Sequence, residues 1–404
     1  MEPIYIVAAK RTPIGSFNGS LAPLTAPELG AVAIRGAMNQ CQLDATLIDE
    51  VIVGNVLSAG IGMGPGRQAA IAAGIPDTVP AYTLNMICGS GMKSVMDAAS
   101  HIRAGDAEIV LACGMESMSQ APFITSAQLR AGVRMGHQTI EDSIIKDGLT
   151  DVFNQYHMGM TAENIAEQLN ITRQQQDSFA LSSQQKAAAA LETHGFNSEI
   201  EPVTVTLRRN QYRVECDEYP KADATLEGLQ SLRPAFKKEG TVTAGNASGI
   251  NDGAAAIILA SKSAVERYQL TPLAEIVEYG QAGVSPEVMG LGPVPAIANA
   301  LQKANLSLHE IQCFELNEAF AAQALGVVKQ LAEQHAVSEA WIQERTNPNG
   351  GAIALGHPLG ASGGRILTSL LYEMERQDHE YGLASLCIGG GMGTAVILRR
   401  CKQA

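Results

Sequence analysis

No Cys-x-x-Cys pair occurs in the chain, and its cysteines form no even framework. Seven are scattered at positions 41, 88, 113, 216, 313, 387 and 401. That pattern excludes a disulfide scaffold and suits free thiols in a reducing compartment. Four-ligand zinc spacing is absent too, and no apolar run approaches the length of a membrane span. Nothing resembles a signal peptide: the chain opens almost at once on Ile4-Tyr-Ile-Val-Ala-Ala, a core-strand pattern. Cytosolic residence is the expectation. Cations are scarce, 28 Lys and Arg against 41 Asp and Glu, a net charge of −13 that argues against broad nucleic-acid binding. A dinucleotide fingerprint is also lacking. Gly64-Pro-Gly66-Arg-Gln-Ala69 is a loose match whose phosphate turn holds a proline, with no well-placed acidic partner.

What is present suits a large globular enzyme. Hydrophobic residues make up 46% of the 404 residues, enough for two or three domains sharing one core. Short apolar runs alternate with helical patterns, which predicts an α/β fold with helices packed on sheets. Strands are expected at 4–9, 51–56, 108–113, 254–260, 311–316, 383–388 and 394–399. Helices are expected at 27–40, 66–74, 90–103, 161–169, 173–194, 293–304, 318–334 and 362–376.

The chain also repeats itself. Gln42-Leu-Asp-Ala-Thr-Leu-Ile-Asp-Glu-Val-Ile-Val-Gly-Asn parallels Asn305-Leu-Ser-Leu-His-Glu-Ile-Gln-Cys-Phe-Glu-Leu-Asn. Two similar α/β halves are expected, residues 1–117 with 247–270, and 271–404, their sheets separated by central helices. The polar stretch 118–246 fits neither half and is expected to be an inserted loop domain carrying substrate contacts.

Four segments carry reactive chemistry. Cys88 opens a Cys-Gly-Ser-Gly turn before the 90–103 helix, where the helix N-terminus favours thiolate. Alone, that motif suits a buried inert cysteine equally well. Asn317-Glu-Ala-Phe lies between this segment and Gly356-His-Pro, which is followed by Cys387-Ile-Gly-Gly-Gly-Met-Gly. A nucleophile, a base, a group acting at carbon and hydrogen-bond donors can all be drawn from Cys88, His357, Cys387 and Asn317. Cys387 also suits a core strand, His357 a surface turn, and Asn317 a helix N-cap.

Taken in order, NMICGSGMKSV, NEAF, GHPLGASGGR and SLCIGGGMG resemble the signatures of the thiolase family. The resemblance runs from IVAAKRTPIGSF to TAVILRR, and YHMGMTAEN is most similar to the biosynthetic branch. It implies a layered α-β-α-β-α core and a reversible Claisen condensation of two acetyl-CoA to acetoacetyl-CoA and CoA. A degradative 3-ketoacyl-CoA thiolase of broader chain length is the alternative. No prosthetic group or metal is implied, only coenzyme A thioesters as substrates.

The roles carried over are these. Cys88 is the nucleophile that becomes acetylated, and His357 accepts its proton. Cys387 removes or returns the proton at carbon. His357 and a water held by Asn317 form one oxyanion hole; the main-chain N–H groups of Cys88 and Gly389 form another. Ser248 contacts the pantetheine arm. His157, Met158, Met289, Ala319 and Phe320 shape its tunnel. Lys221 and Phe236 meet the nucleotide end, although Lys221 stands where an arginine is expected. The 118–246 segment, with Phe123, Ile124, Leu129, Val133 and Met135, is expected to tether two dimers into a homotetramer. A ketoacyl synthase is disfavoured by the second cysteine, and a silent CoA-binding scaffold by the presence of all four polar positions.

Overall fold

The computed structural model describes residues 2–402. Its main sheet is built from β1 (Ile4–Arg11), β2 (Glu50–Gly54), β3 (Ala81–Leu84), β4 (Ile109–Ser117), β5 (Asn251–Ser261), β6 (Ala274–Gly283), β7 (Cys313–Leu316), β8 (Tyr381–Ile388) and β9 (Met392–Arg400). Their spatial order is β7-β8-β9-β6-β1-β5-β4-β2-β3, and the short strand Gly15–Ser16 also pairs with β5. The halves are not fully separate sheets, as the sequence suggested. A ladder of two residue pairs, Tyr5 with Glu275 and Ile6 with Ala274, joins them along β1 and β6.

Each half repeats one plan. The strands flanking its central helix pair in parallel, β2 with β4 and β7 with β8. An antiparallel strand then closes each half, β5 on β4 and β9 on β8. In the second half that return is a tight turn through Gly389–Gly391. In the first it is the whole excursion from 118 to 250, which leaves and rejoins the sheet where Ser117 pairs with Asp252.

Alternation along the strands makes the layers, since successive side chains point to opposite faces. Val110 and Ile257 face a central core, while Leu111 and Ile258 face an outer one. The central layer is α3 (Ser90–Ala104) and the long helix Ser362–Arg376, whose Met92, Met96, Ile366 and Leu370 meet strand residues of both halves. One outer layer is α1 (Ala26–Cys41) with α2 (Pro65–Ala73). The other is formed by helices Pro293–Ala304 and Ala321–His335, packed on Phe314, Leu383 and Ile397. Burial on both faces explains the near-continuous apolar runs of β5 and β8.

The excursion contains α4 (Met158–Leu169) and α5 (Arg173–Glu192). The helices of the central and outer layers that follow in the chain are labelled α6 (Pro293–Ala304), α7 (Ala321–His335) and α8 (Ser362–Arg376). A buried ion cluster fastens the excursion to β1: Arg11 meets Glu199 at 2.6 Å and Asp217 at 2.7 Å, all fully shielded. Two of the nine labelled strands of the main sheet escaped the sequence reading. β3 is a four-residue edge strand, and β6 carries four polar residues over ten positions, so its face alternation is weak.

Candidate active site

The Cys88 turn is held by its neighbours. Asn85 Oδ1 accepts the Ile87 N–H at 2.9 Å. Ser90 Oγ accepts the Met86 N–H at 2.9 Å and donates to the Ile87 carbonyl at 2.7 Å. Between them Ile87 takes φ +48°, a left-handed conformation unfavourable for a β-branched residue. That strain sits one residue before the thiol. Gly89 follows, pressed against Ile388, where a Cβ would come within 2.4 Å of the side chain. The segment holding Cys387 and Gly389 is thereby laid against Cys88, near enough for the Gly389 N–H to draw the thiol pKa down.

The thiol is nevertheless not a resting thiolate. Burial pushes Cys88 up to about 11, against the pull of the Gly389 and Cys88 N–H groups. Desolvation acts against the helix N-terminus emphasised in the sequence reading, because Cys88 is buried.

The His357 turn is held against the Cys88 helix from the other half, Gly360 meeting Gly91. That turn begins at Gly356, with φ +105°, and the His357 main-chain N–H donates to Asn251 Oδ1 at 3.0 Å. Nδ1 lies 2.6 Å from Ser362 Oγ, whereas Nε2 is buried with no partner. Burial, then the charge of Arg365, pulls the imidazole down to about 3, so the ring is neutral. Backbone contact between the two central helices brings the halves together. A Cβ on Gly91 would lie 2.7 Å from the Gly360 carbonyl, and one on Gly363 2.2 Å from the Met92 nitrogen. Only glycine permits that approach.

Asn317 is not a helix cap. α7 begins at Ala321 with Phe320 as its N-cap, and the Asn317 main-chain N–H bonds the Ser385 carbonyl at 3.0 Å. Both polar atoms of its side chain are buried without a partner. Neighbouring Glu318, by contrast, is fully engaged by Ser183 Oγ at 2.6 Å and Asn347 Nδ2 at 2.8 Å. A buried amide left open is costly unless something else fills the site. Cys387 lies near the end of β8. Burial, reinforced by nearby Cys88, pushes its thiol far above the ordinary range.

Cys387 forms one apolar wall with Met158, Met289, Ala319 and Phe320, and Phe236 packs against it. His157 stacks on Phe236 at 4.5 Å between centroids, and its Nδ1 caps α4 by accepting the Gly159 N–H. Ser248 is joined to this wall through its main-chain N–H, which bonds the Ala319 carbonyl at 2.9 Å. Lys221 stands apart. It is exposed and lines a separate cavity of about 220 Å³ with Gln184, Tyr219, Thr225 and Leu232. Among the described residues, no group of three or more His, Cys, Asp or Glu could hold a metal.

Sequence reasoning missed Asn251, Ser362 and Glu116. The Glu116 carboxylate is buried and accepts from Asn55 Nδ2 at 2.8 Å and the Gly360 N–H at 2.9 Å, tying the His357 turn to β4. Ser362 lay inside GHPLGASGGR, but nothing local marked it as a partner of His357.

Comparison with known proteins resolves the family. Residues 4–263 match the thiolase N-terminal domain and residues 270–400 the thiolase C-terminal domain. The chain belongs to the thiolase family. An acetyl-CoA acetyltransferase of Pseudomonas aeruginosa is 53% identical, covering 99% of this chain and 100% of that protein. The crystal structure of the Bacillus anthracis acetyl-CoA acetyltransferase superposes with a TM-score of 0.95 at 43% identity, covering 99% of both chains. Human mitochondrial 3-ketoacyl-CoA thiolase in complex with CoA gives 0.93 at 43% identity, over 99% of this chain and 98% of that one. The thiolase fold and acyltransferase class follow from these likenesses.

Proposed function

We propose that this thiolase is an acetyl-CoA acetyltransferase that joins two acetyl-CoA into acetoacetyl-CoA and CoA, and reverses that reaction. The observation that carries the reading is the buried Cys88 thiol with the Cys387 thiol beside it. It is supported by the Gly91–Gly360 contact between the Cys88 helix and the His357 turn, and by the buried, unpartnered side-chain atoms of His357 and Asn317. Relatives named for this activity at about half identity support it.

Each proton has a place in the proposed sequence. His357 Nε2 takes the Cys88 proton as the sulfur attacks the acetyl carbonyl. The C–S bond to CoA breaks, and His357 returns the proton to the departing CoA thiolate. In the second half Cys387 passes its own proton to His357, then removes one from the α-carbon of the next acetyl-CoA. The carbanion attacks acetyl-Cys88, and the Cys88 thiolate recovers a proton from His357. Oxygen charge developing at the acyl carbonyl is met by the Gly389 and Cys88 N–H groups; that on the enolate is met by His357 and a water on Asn317. Met158, Met289, Ala319, Phe320, His157 and Ser248 hold the pantetheine arm, and Lys221 and Phe236 meet the nucleotide end. No prosthetic group takes part. Seven free thiols support a reducing, cytosolic setting.

A degradative thiolase of broader chain length is the second reading, favoured by the likeness to the human 3-ketoacyl-CoA enzyme. A thiolysis series over acyl length separates the two. Activity confined to acetoacetyl-CoA is expected; equal turnover of long 3-ketoacyl-CoA would transfer the assignment to the degradative class.

A further inference from the structure

We infer that Ser362 is a positioning residue that fixes which nitrogen of His357 carries the proton, holding it on Nδ1 so that Nε2 is the base. The inference rests on the reading of His357 as the base of Cys88. It begins with the contacts of one hydroxyl. Ser362 Oγ lies 2.6 Å from His357 Nδ1 and 2.9 Å from the Pro358 carbonyl. A serine has a single proton to give. Given to the carbonyl, it leaves the oxygen lone pairs facing Nδ1, and the imidazole must donate there.

The opposite arrangement satisfies less. If Ser362 donated to Nδ1, its bond to the Pro358 carbonyl would be lost, and Nε2 would carry a hydrogen. Nε2 is buried and no protein group accepts from it. Buried N–H groups without partners are rarer than unpaired acceptors. The first arrangement keeps both Ser362 contacts and leaves only a lone pair at Nε2, which is what a base requires.

The location of Ser362 keeps this hydroxyl in place. It is the first residue of α8 and 1% exposed, and its Oγ bonds back to the carbonyl four residues earlier, a habit of serine in helices. His357 is therefore fixed from its C-terminal side, by Pro358 directly after it and Ser362 five residues on. Asn251 grips the main chain of His357 from β5 at the same time. A neutral serine does this without lending a charge, unlike a carboxylate partner, so it sets the tautomer without stabilising a resting imidazolium.

Selective ¹⁵N labelling of histidine tests the assignment in the whole enzyme, with the His357 signals identified by their loss in His357→Asn. The wild-type ring should show a protonated Nδ1 and a bare Nε2. In Ser362→Ala that pattern should shift toward protonated Nε2, and kcat for thiolysis should fall on the order of a hundredfold with KM little changed. A Ser362→Ala enzyme with wild-type kcat, or one that loses kcat while Nδ1 stays protonated, overturns the inference. If His357→Asn itself remains active, the reading of His357 fails instead. Should Ser362→Ala not fold, Ser362→Cys keeps the volume but weakens the acceptor, and the same two measurements decide.

Discussion

Asn251 accepts the His357 main-chain N–H at 3.0 Å, and the same side chain occupies the space a Cβ on Gly356 would need. That Cβ would come within 2.4 Å of Asn251 Cγ, and Gly356 already has φ +105°. Gly356→Ala therefore faces both backbone strain and a clash. A loss of about 1–3 kcal/mol is expected from the strain, with thiolysis falling further because His357 shifts. Asn251→Ala should cost about 1–3 kcal/mol through the unsatisfied N–H. Thermal melts alongside thiolysis rates check both. A Gly356→Ala enzyme with unchanged melting and rate would show that the turn has slack not visible in its contacts.

The neutral resting pair has a pH signature. Burial holds Cys88 at about 11 and His357 at about 3, so across the neutral range the thiol is protonated and the imidazole uncharged. Thiolate fraction below the thiol pKa rises about tenfold per pH unit. Inactivation by iodoacetamide should accelerate steadily from about pH 7 toward pH 10, and acetyl-CoA should protect. Peptide mapping should find Cys88 modified as activity is lost. A rate flat from about pH 6 to 9 would instead indicate a thiolate–imidazolium pair already formed.

Much of this was legible in the sequence, for a physical reason. β1, β5, β8 and β9 are long apolar runs because both their faces are buried, so pattern alone finds them. β6 was lost because its burial is partial and its ladder partners lie far along the chain. The site divides similarly. Cys88 and His357 sit in glycine-marked turns, and Cys387 at a strand end just before one, which a local motif reveals. Asn251 and Ser362 act by hydrogen bonds to His357 whose geometry only the fold creates. The burial that pushes the Cys88 thiol up was hidden for the same cause: a helix terminus is visible in sequence, the desolvation surrounding it is not.

Assembly is the third expectation. Phe123, Met135 and Ile140 are 64%, 95% and 65% exposed on the excursion, a costly display of apolar surface for a lone subunit. We propose that this surface joins two dimers into a tetramer. Light scattering should give four subunits per particle, and replacing Phe123 and Met135 with aspartate should yield dimers that keep their thiolysis rate. A wild-type monomer at micromolar concentration would refute the arrangement.

The final expectation separates the two cysteines. Forming acetyl-Cys88 requires Cys88, His357 and N–H donors, but no proton leaves carbon. Cys387 is needed only when the carbon–carbon bond forms or breaks. Cys88→Ala should therefore lose both the acetyl-enzyme and turnover. Cys387→Ala should still accept label from acetyl-CoA, yet condense on the order of a hundred- to ten-thousand-fold more slowly. Cys387 is fully packed against Met158, Met289 and Phe320, so the alanine leaves a small void that could mimic this loss by destabilising the wall. Melting temperatures distinguish the two causes, since a void lowers stability and acylation together. Mass spectrometry of the acyl-enzyme beside the condensation rate gives the answer. A folded Cys387→Ala enzyme condensing at near wild-type rate would remove Cys387 from the carbon step while leaving Cys88 as nucleophile.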